Sequence, residues 1–139
     1  MDGDPFAKAM DRIRLIGRLF IYTLLVNKLY EMPFSNVYPA YVKKVERKGR
    51  SVEELHEVIK WLTGFTDASL KKHIKSQTTL QDFFASKVNK NASLITGTIC
   101  GVKIQEISDP LMLKIRYLDK LVDELANGRP MEKILRSGS

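Results

Sequence analysis

Lys43, Lys44, Arg47, Lys48 and Arg50 form the densest run of like charge in the chain. Residues four apart share a helix face, so Lys43 aligns with Arg47 and Lys44 with Lys48. Such a stripe suits the phosphates of a nucleic-acid backbone. The plainer alternative is a solvated face, partly balanced by Glu46, because no recognition motif or interleaved aromatic platform accompanies the charge. Arg116, Tyr117 and Asp119, with Asp123 one turn on, form a second group. They supply the donors and acceptors of a polar pocket that a small enzyme could use, or surface ion pairs at helical spacing.

The remaining reactive side chains argue against catalysis. Cys100 is the single cysteine. A reactive thiol needs an electropositive, partly open setting, whereas Ile99 and Val102 flank this one with apolar groups, so a buried, inert cysteine is expected. His56 and His73 are the two histidines, on different helices, with no ligand set at metal spacing. His56 sits between Glu53 and Glu57, as on a solvated charged face. Thr96-Gly97-Thr98 lacks the lysine and wider glycine pattern of a phosphate loop. Gly97 and Gly101 suit a close helix approach or turns. No catalytic set, metal or cofactor is therefore expected.

The elements that position these residues read as helices. Asp4, Pro5 and the spacing of Phe6, Met10, Ile13, Gly17, Phe20 and Leu24 predict an N-terminal helix, apolar on nearly every side beyond Leu19. The stretch Glu31 to Asn36 reads as a connector. A helix beginning near Pro39 carries Tyr38, Tyr41, Val42 and Val45 on one face, with the basic stripe opposite, and stops at Gly49. The next opens with the capping box Ser51/Glu54, buries Leu55, Ile59 and Leu62 beside Val58 and Trp61, and ends at Gly64. Trp61 reads as core. Two shorter helices follow, one capped by Asp67 and burying Leu70 and Ile74, one beginning at Thr78 with Gln81 in capping-box position. Over 94–107 a helix followed by a short extended piece is preferred, and a hairpin turning at Cys100-Gly101 is the alternative. Asp109 and Pro110 open the longest helix. Its apolar seam is Leu111, Ile115, Leu118, Val122 and Leu125, and Asn127-Gly128 closes it. Pro130 restarts a terminal turn with Met131, Ile134 and Leu135.

The chain has 139 residues, of which 44% are hydrophobic and 28% charged, enough for one domain with a core of its own. The net charge is +7, and ten basic against six acidic side chains fall in residues 27–77. That excess favours an anionic partner without identifying one. The apolar run Leu19 to Val26 is too short to span a bilayer and no cleavage site follows it, so neither secretion nor a transmembrane segment is expected.

From about Tyr30 to the C-terminus the chain resembles a family of small bacterial proteins known as a domain of unknown function, DUF2200. The resemblance lies in Phe34-Ser35-Asn36-Val37-Tyr38-Pro39, Lys48-Gly49-Arg50, Trp61-Leu62-Thr63-Gly64, Leu94-Ile95-Thr96-Gly97 and Ile99-Cys100-Gly101-Val102. It continues in Asp109-Pro110-Leu111-Met112, in Ile115 to Leu121 and in Met131-Glu132-Lys133-Ile134-Leu135. It implies a bacterial, cytoplasmic, single-domain protein and brings no activity or site residue with it. Residues 1–29 lie outside it.

The expected architecture is all-α: a compact bundle of about six helices over residues 30–139, with a short hairpin or extended piece around 94–107, preceded by a hydrophobic helix over 1–29. The expected role is a non-enzymatic binding or protein-interaction module, homo-oligomeric or partnered through the N-terminal helix or the apolar seam of the longest helix. Nucleic-acid binding through the Lys43–Arg50 stripe and a small enzyme near Arg116 and Tyr117 are the alternatives. Peripheral membrane contact through residues 5–26 ranks last.

Overall fold

The computed structural model describes residues 24–137. The chain divides into two compact units, Met1–Met32 and Pro33–Ser139. In the first, residues 24–31 are helical, and the rest of the expected N-terminal helix lies outside the described residues. The second is mostly α-helical. Its order is α1 (Phe34–Arg47), α2 (Val52–Thr63), α3 (Asp67–Lys75), α4 (Leu80–Phe83), a 3₁₀ turn (Lys90–Leu94), β1 (Thr98–Ile99), β2 (Val102–Lys103), a 3₁₀ turn (Ile104–Glu106), α5 (Pro110–Ala126) and α6 (Met131–Ile134).

Helix α1 begins five residues earlier than the expected start near Pro39, and the connector shrinks accordingly. Its entry is held by tertiary contacts instead of a side-chain cap. Pro33 and Thr79 form an isolated antiparallel bridge, and the Phe34 amide donates to the Thr78 carbonyl at 2.7 Å. Phe34 is fully buried and its ring stacks on Phe83 at 3.9 Å. Burying an aromatic ring of that size outweighs the one intrahelical hydrogen bond that Pro39, lacking an N–H, withholds from Ser35. The helix ends as Gly49 demands. At φ +81° the chain reverses, and the amides of Gly49 and Arg50 donate back to the carbonyls of Glu46 and Val45.

Helix α2 has the expected Ser51/Glu54 capping box and stops at left-handed Gly64, with Leu55, Val58, Ile59 and Leu62 buried. Trp61 is only half-buried, because it lies off the face those four residues share. The caps of α3 and α4 each shift by one residue. Thr66, reciprocated by Ser69, caps α3, and Thr79 caps α4 through the Asp82 amide. Asp67 becomes the first helical residue and pairs with Lys60 at 2.8 Å. Threonine takes both caps because its hydroxyl reaches the third helical amide from an extended residue.

The preferred helix over 94–107 does not form; the hairpin does. Ile99 pairs with Val102 and Thr98 with Lys103 across a two-residue turn in which Cys100 and Gly101 have φ of +52° and +78°. Two successive positive φ values match the twist of a tight hairpin. Gly97, at φ +100°, approaches the Lys120 side chain, whose ammonium donates to the Thr98 carbonyl at 3.1 Å.

Helix α5 is the spine. The Asp109 carboxylate accepts from the Leu111 and Met112 amides, and Pro110 takes the first position. Ile115, Leu118, Val122 and Leu125 of the expected seam are buried, with Leu121 beside them, in this chain's own core. Those four seam residues are therefore consumed within the fold, while Leu111 at the start of the helix is half-buried. Tyr41 bonds to Asp119, Lys44 to Asp123 and Arg50 to Leu125 and Arg129, separations of 78, 79, 75 and 79 residues. A near-constant offset means that α1 and α5 run parallel.

Candidate nucleic-acid interface

Lys43, Lys44, Arg47 and Lys48 surround Ala40 on the outer side of α1, where they line an open depression of ≈ 470 Å³. The buried face of the same helix carries Phe34, Tyr41 and Val45, so the amphipathic pattern turns the cations outward. Lys44 and Arg47 lie in the last turn, where the helix dipole favours positive charge. Lys43 directly precedes Lys44, one turn before Arg47. Lys44, itself exposed, reaches half-buried Asp123 at 3.1 Å. Among the described residues, Lys43, Arg47 and Lys48 take part in no ion pair.

Arg50 does not belong to this surface. It follows Gly49, after the chain has reversed, and its side chain is only 16% exposed. Its guanidinium donates to Glu54 at 2.7 and 3.1 Å, and to the carbonyls of Leu125 and Arg129 at the C-terminal end of α5. The Arg50 hydrogen bond, followed by the Ser51 amide, holds the Glu54 carboxyl down at about 2.

The expected polar pocket of Arg116, Tyr117 and Asp119 is rearranged. Arg116 and Asp119 pair at 3.1 Å, and the other Asp119 oxygen accepts from the Tyr41 hydroxyl at 2.5 Å. Burial, then the Asp119 charge, push the Tyr41 phenol well above its usual range. Tyr117 lies a hundred degrees round the helix from Arg116 and is buried, its phenol raised by burial. The third member of the cluster is thus Tyr41, from α1. Its place on the apolar face was legible in the spacing; its hydroxyl's partner, 78 residues away, left no local signal.

Both histidines are engaged in packing. His56 Nε2 and the Tyr38 hydroxyl form a short hydrogen bond between α1 and α2, and burial lowers the imidazole's pKa. His73 Nδ1 bonds to Thr78 Oγ1 at 3.0 Å and its ring packs on Phe65 and Phe83. Among the described residues no group of three His, Cys, Asp or Glu side chains is placed to hold a metal ion. Cys100 is exposed instead of buried, because the hairpin puts it at the turn.

One ionic cluster has no precursor in the sequence reading. Glu124 is buried, with 8% of its side chain exposed, and takes Arg136 on both oxygens at 2.6 and 2.8 Å and Arg129 at 2.9 Å. The one local hint is its position three residues after buried Leu121, on the inner side of α5.

Residues 28–136 match the family described as an uncharacterized protein conserved in bacteria, DUF2200. The crystal structure of uncharacterized protein SP1917 is similar, with 46% sequence identity, a TM-score of 0.73, and coverage of 78% of this chain and 90% of that one. No curated protein matches. No helix among the described residues is long and apolar enough to cross a membrane. On the match over 28–136 and the likeness to SP1917, this chain belongs to the bacterial DUF2200 family.

Proposed function

We propose that this domain is a non-enzymatic, cytoplasmic binding module that grips the phosphate backbone of a nucleic acid with the outer face of α1. The observation that carries this reading is the contrast in how the cations are used. Lys43, Arg47 and Lys48 are exposed around an open depression without an acidic partner among the described residues, whereas Arg50, Arg116, Arg129 and Arg136 all hold carboxylates. Lysine and arginine one turn apart present charges at ~6 Å intervals along a line, a spacing suited to a regularly charged chain. With no aromatic platform among them, they touch backbone and leave bases unread, so binding is indifferent to sequence. The closed Tyr41–Asp119–Arg116 network, with its polar groups paired to one another, weighs against the small-enzyme alternative.

Fluorescence anisotropy with mixed-sequence DNA and RNA, at low and near-physiological salt, tests the reading. Saturable binding that weakens steeply with salt is expected, and Lys43→Glu with Arg47→Glu abolishes it. Absence of binding by the wild-type chain at low salt overturns the proposal. A second reading, a protein partner or second copy held through the apolar N-terminal sequence, rests on the composition of residues 5–26. Light scattering on the full chain and on a chain lacking those residues checks it.

A further inference from the structure

We propose that α3 carries a second phosphate-contacting surface, so that one nucleic acid engages two neighbouring helices of this domain; the inference rests on the α1 reading above. Lys71, Lys72 and Lys75 are exposed and, with Ala68 and Ser76, line an open depression of ≈ 480 Å³. Among the described residues none of the three lysines forms an ion pair. The two depressions share one design. Each has an alanine beside cations one turn apart, Lys43 with Arg47 on α1 and Lys71 with Lys75 on α3.

Like charges at that spacing repel, so each helix sets positive charges against one another that a bound anion relieves. The dipole at the C-terminal end of α3 favours Lys72 and Lys75, and Lys71 directly precedes Lys72, as Lys43 directly precedes Lys44 on α1. A membrane surface is the poorer partner, because no large apolar side chain lines either depression to insert among lipids.

Helices α1 and α3 pack against each other, and the Phe34 amide at the start of α1 donates to Thr78, three residues past the end of α3. A 20-base-pair duplex extends about 68 Å at 3.4 Å per step, longer than α1 and α3 laid end to end at 1.5 Å per residue.

The test is a salt titration of anisotropy on the full chain with a mixed-sequence 20-base-pair DNA, comparing wild type, Lys71→Glu/Lys75→Glu and Lys43→Glu/Arg47→Glu. Circular dichroism melts verify that each variant is folded. The α3 variant is expected to bind about tenfold more weakly at low salt, with the slope of log affinity against log salt reduced by about 2, the value for two lost phosphate contacts. An α3 variant with wild-type affinity and slope, beside an α1 variant that no longer binds, overturns the second surface and leaves the first standing. A wild-type chain that ignores DNA at low salt overturns both, as does binding to vesicles of anionic lipid alone.

Discussion

The outer face of α1 and the C-terminal end of α5 are built from the same cationic side chains and treat them in opposite ways. On α1, Lys43, Arg47 and Lys48 stand in solvent with no acid opposite them among the described residues. At the end of α5, Arg129 and Arg136 converge on one buried carboxylate, Glu124, while Arg50, from the turn between α1 and α2, donates to two carbonyls and to Glu54. The lesson is that a positive side chain is a candidate for recognition only after the fold's own anions have been subtracted. Arg50 is contiguous in sequence with the stripe, yet that subtraction removes it.

The largest expected effect comes from breaking the paired side. Glu124→Gln leaves Arg136, 13% exposed, without its countercharge, and removing one partner of a buried ion pair costs about 3 kcal/mol. Urea denaturation should show the midpoint falling with the slope unchanged; a midpoint equal to wild type would mean that the pair contributes nothing net. A smaller effect is expected at Arg50 and Glu54. The Glu54 carboxyl titrates near 2 in the folded chain against an ordinary 4.5. The unfolded chain therefore takes up the proton first, and the stabilisation present above pH 4.5 is lost as pH falls towards 2. Melts across that window should show a shallower loss for Glu54→Gln than for wild type, and parallel curves would refute the assignment. The smallest effect on folding belongs to the unpaired side. Lys43→Glu/Arg47→Glu should lower stability by no more than about 1 kcal/mol, the cost of reversing exposed charge near a helix C-terminus. A large loss would show that α1's cations hold the fold after all.

How much of this was legible depends on the range of the interaction. The Ser51/Glu54 box, the Asp109-Pro110 start and the stops at Gly49, Gly64 and Gly128 are local: each is a backbone amide or carbonyl satisfied within one turn, and the sequence displays the residues that do it. The start of α1 was missed because Pro39 argues locally against a helix, while Phe34 is buried by Phe83, 49 positions away. The turn at Cys100-Gly101 was the lesser alternative because cysteine rarely takes a positive φ, and its neighbours are apolar whether strand or helix. The site divides in the same way. The spacing of Lys43, Lys44, Arg47 and Lys48 put them on one face, and they share one; nothing near Arg50, Tyr41 or Glu124 announces partners that lie 75, 78 and 12 residues off.

The parallel pairing of α1 with α5 has a consequence for the newborn chain. The groups that join the two helices are separated by 75 to 79 residues, and at a synthesis rate of about 5–20 residues per second α5 emerges roughly 4–16 s after α1. During that interval the half of α1 that carries Tyr41 and Val45 has been made while the helix to which Tyr41 bonds has not. Until α5 is made, the apolar face of α1 lacks the helix against which it packs most extensively. The domain depends during that window on α2, α3 and α4 to shelter the exposed face until its last long helix arrives.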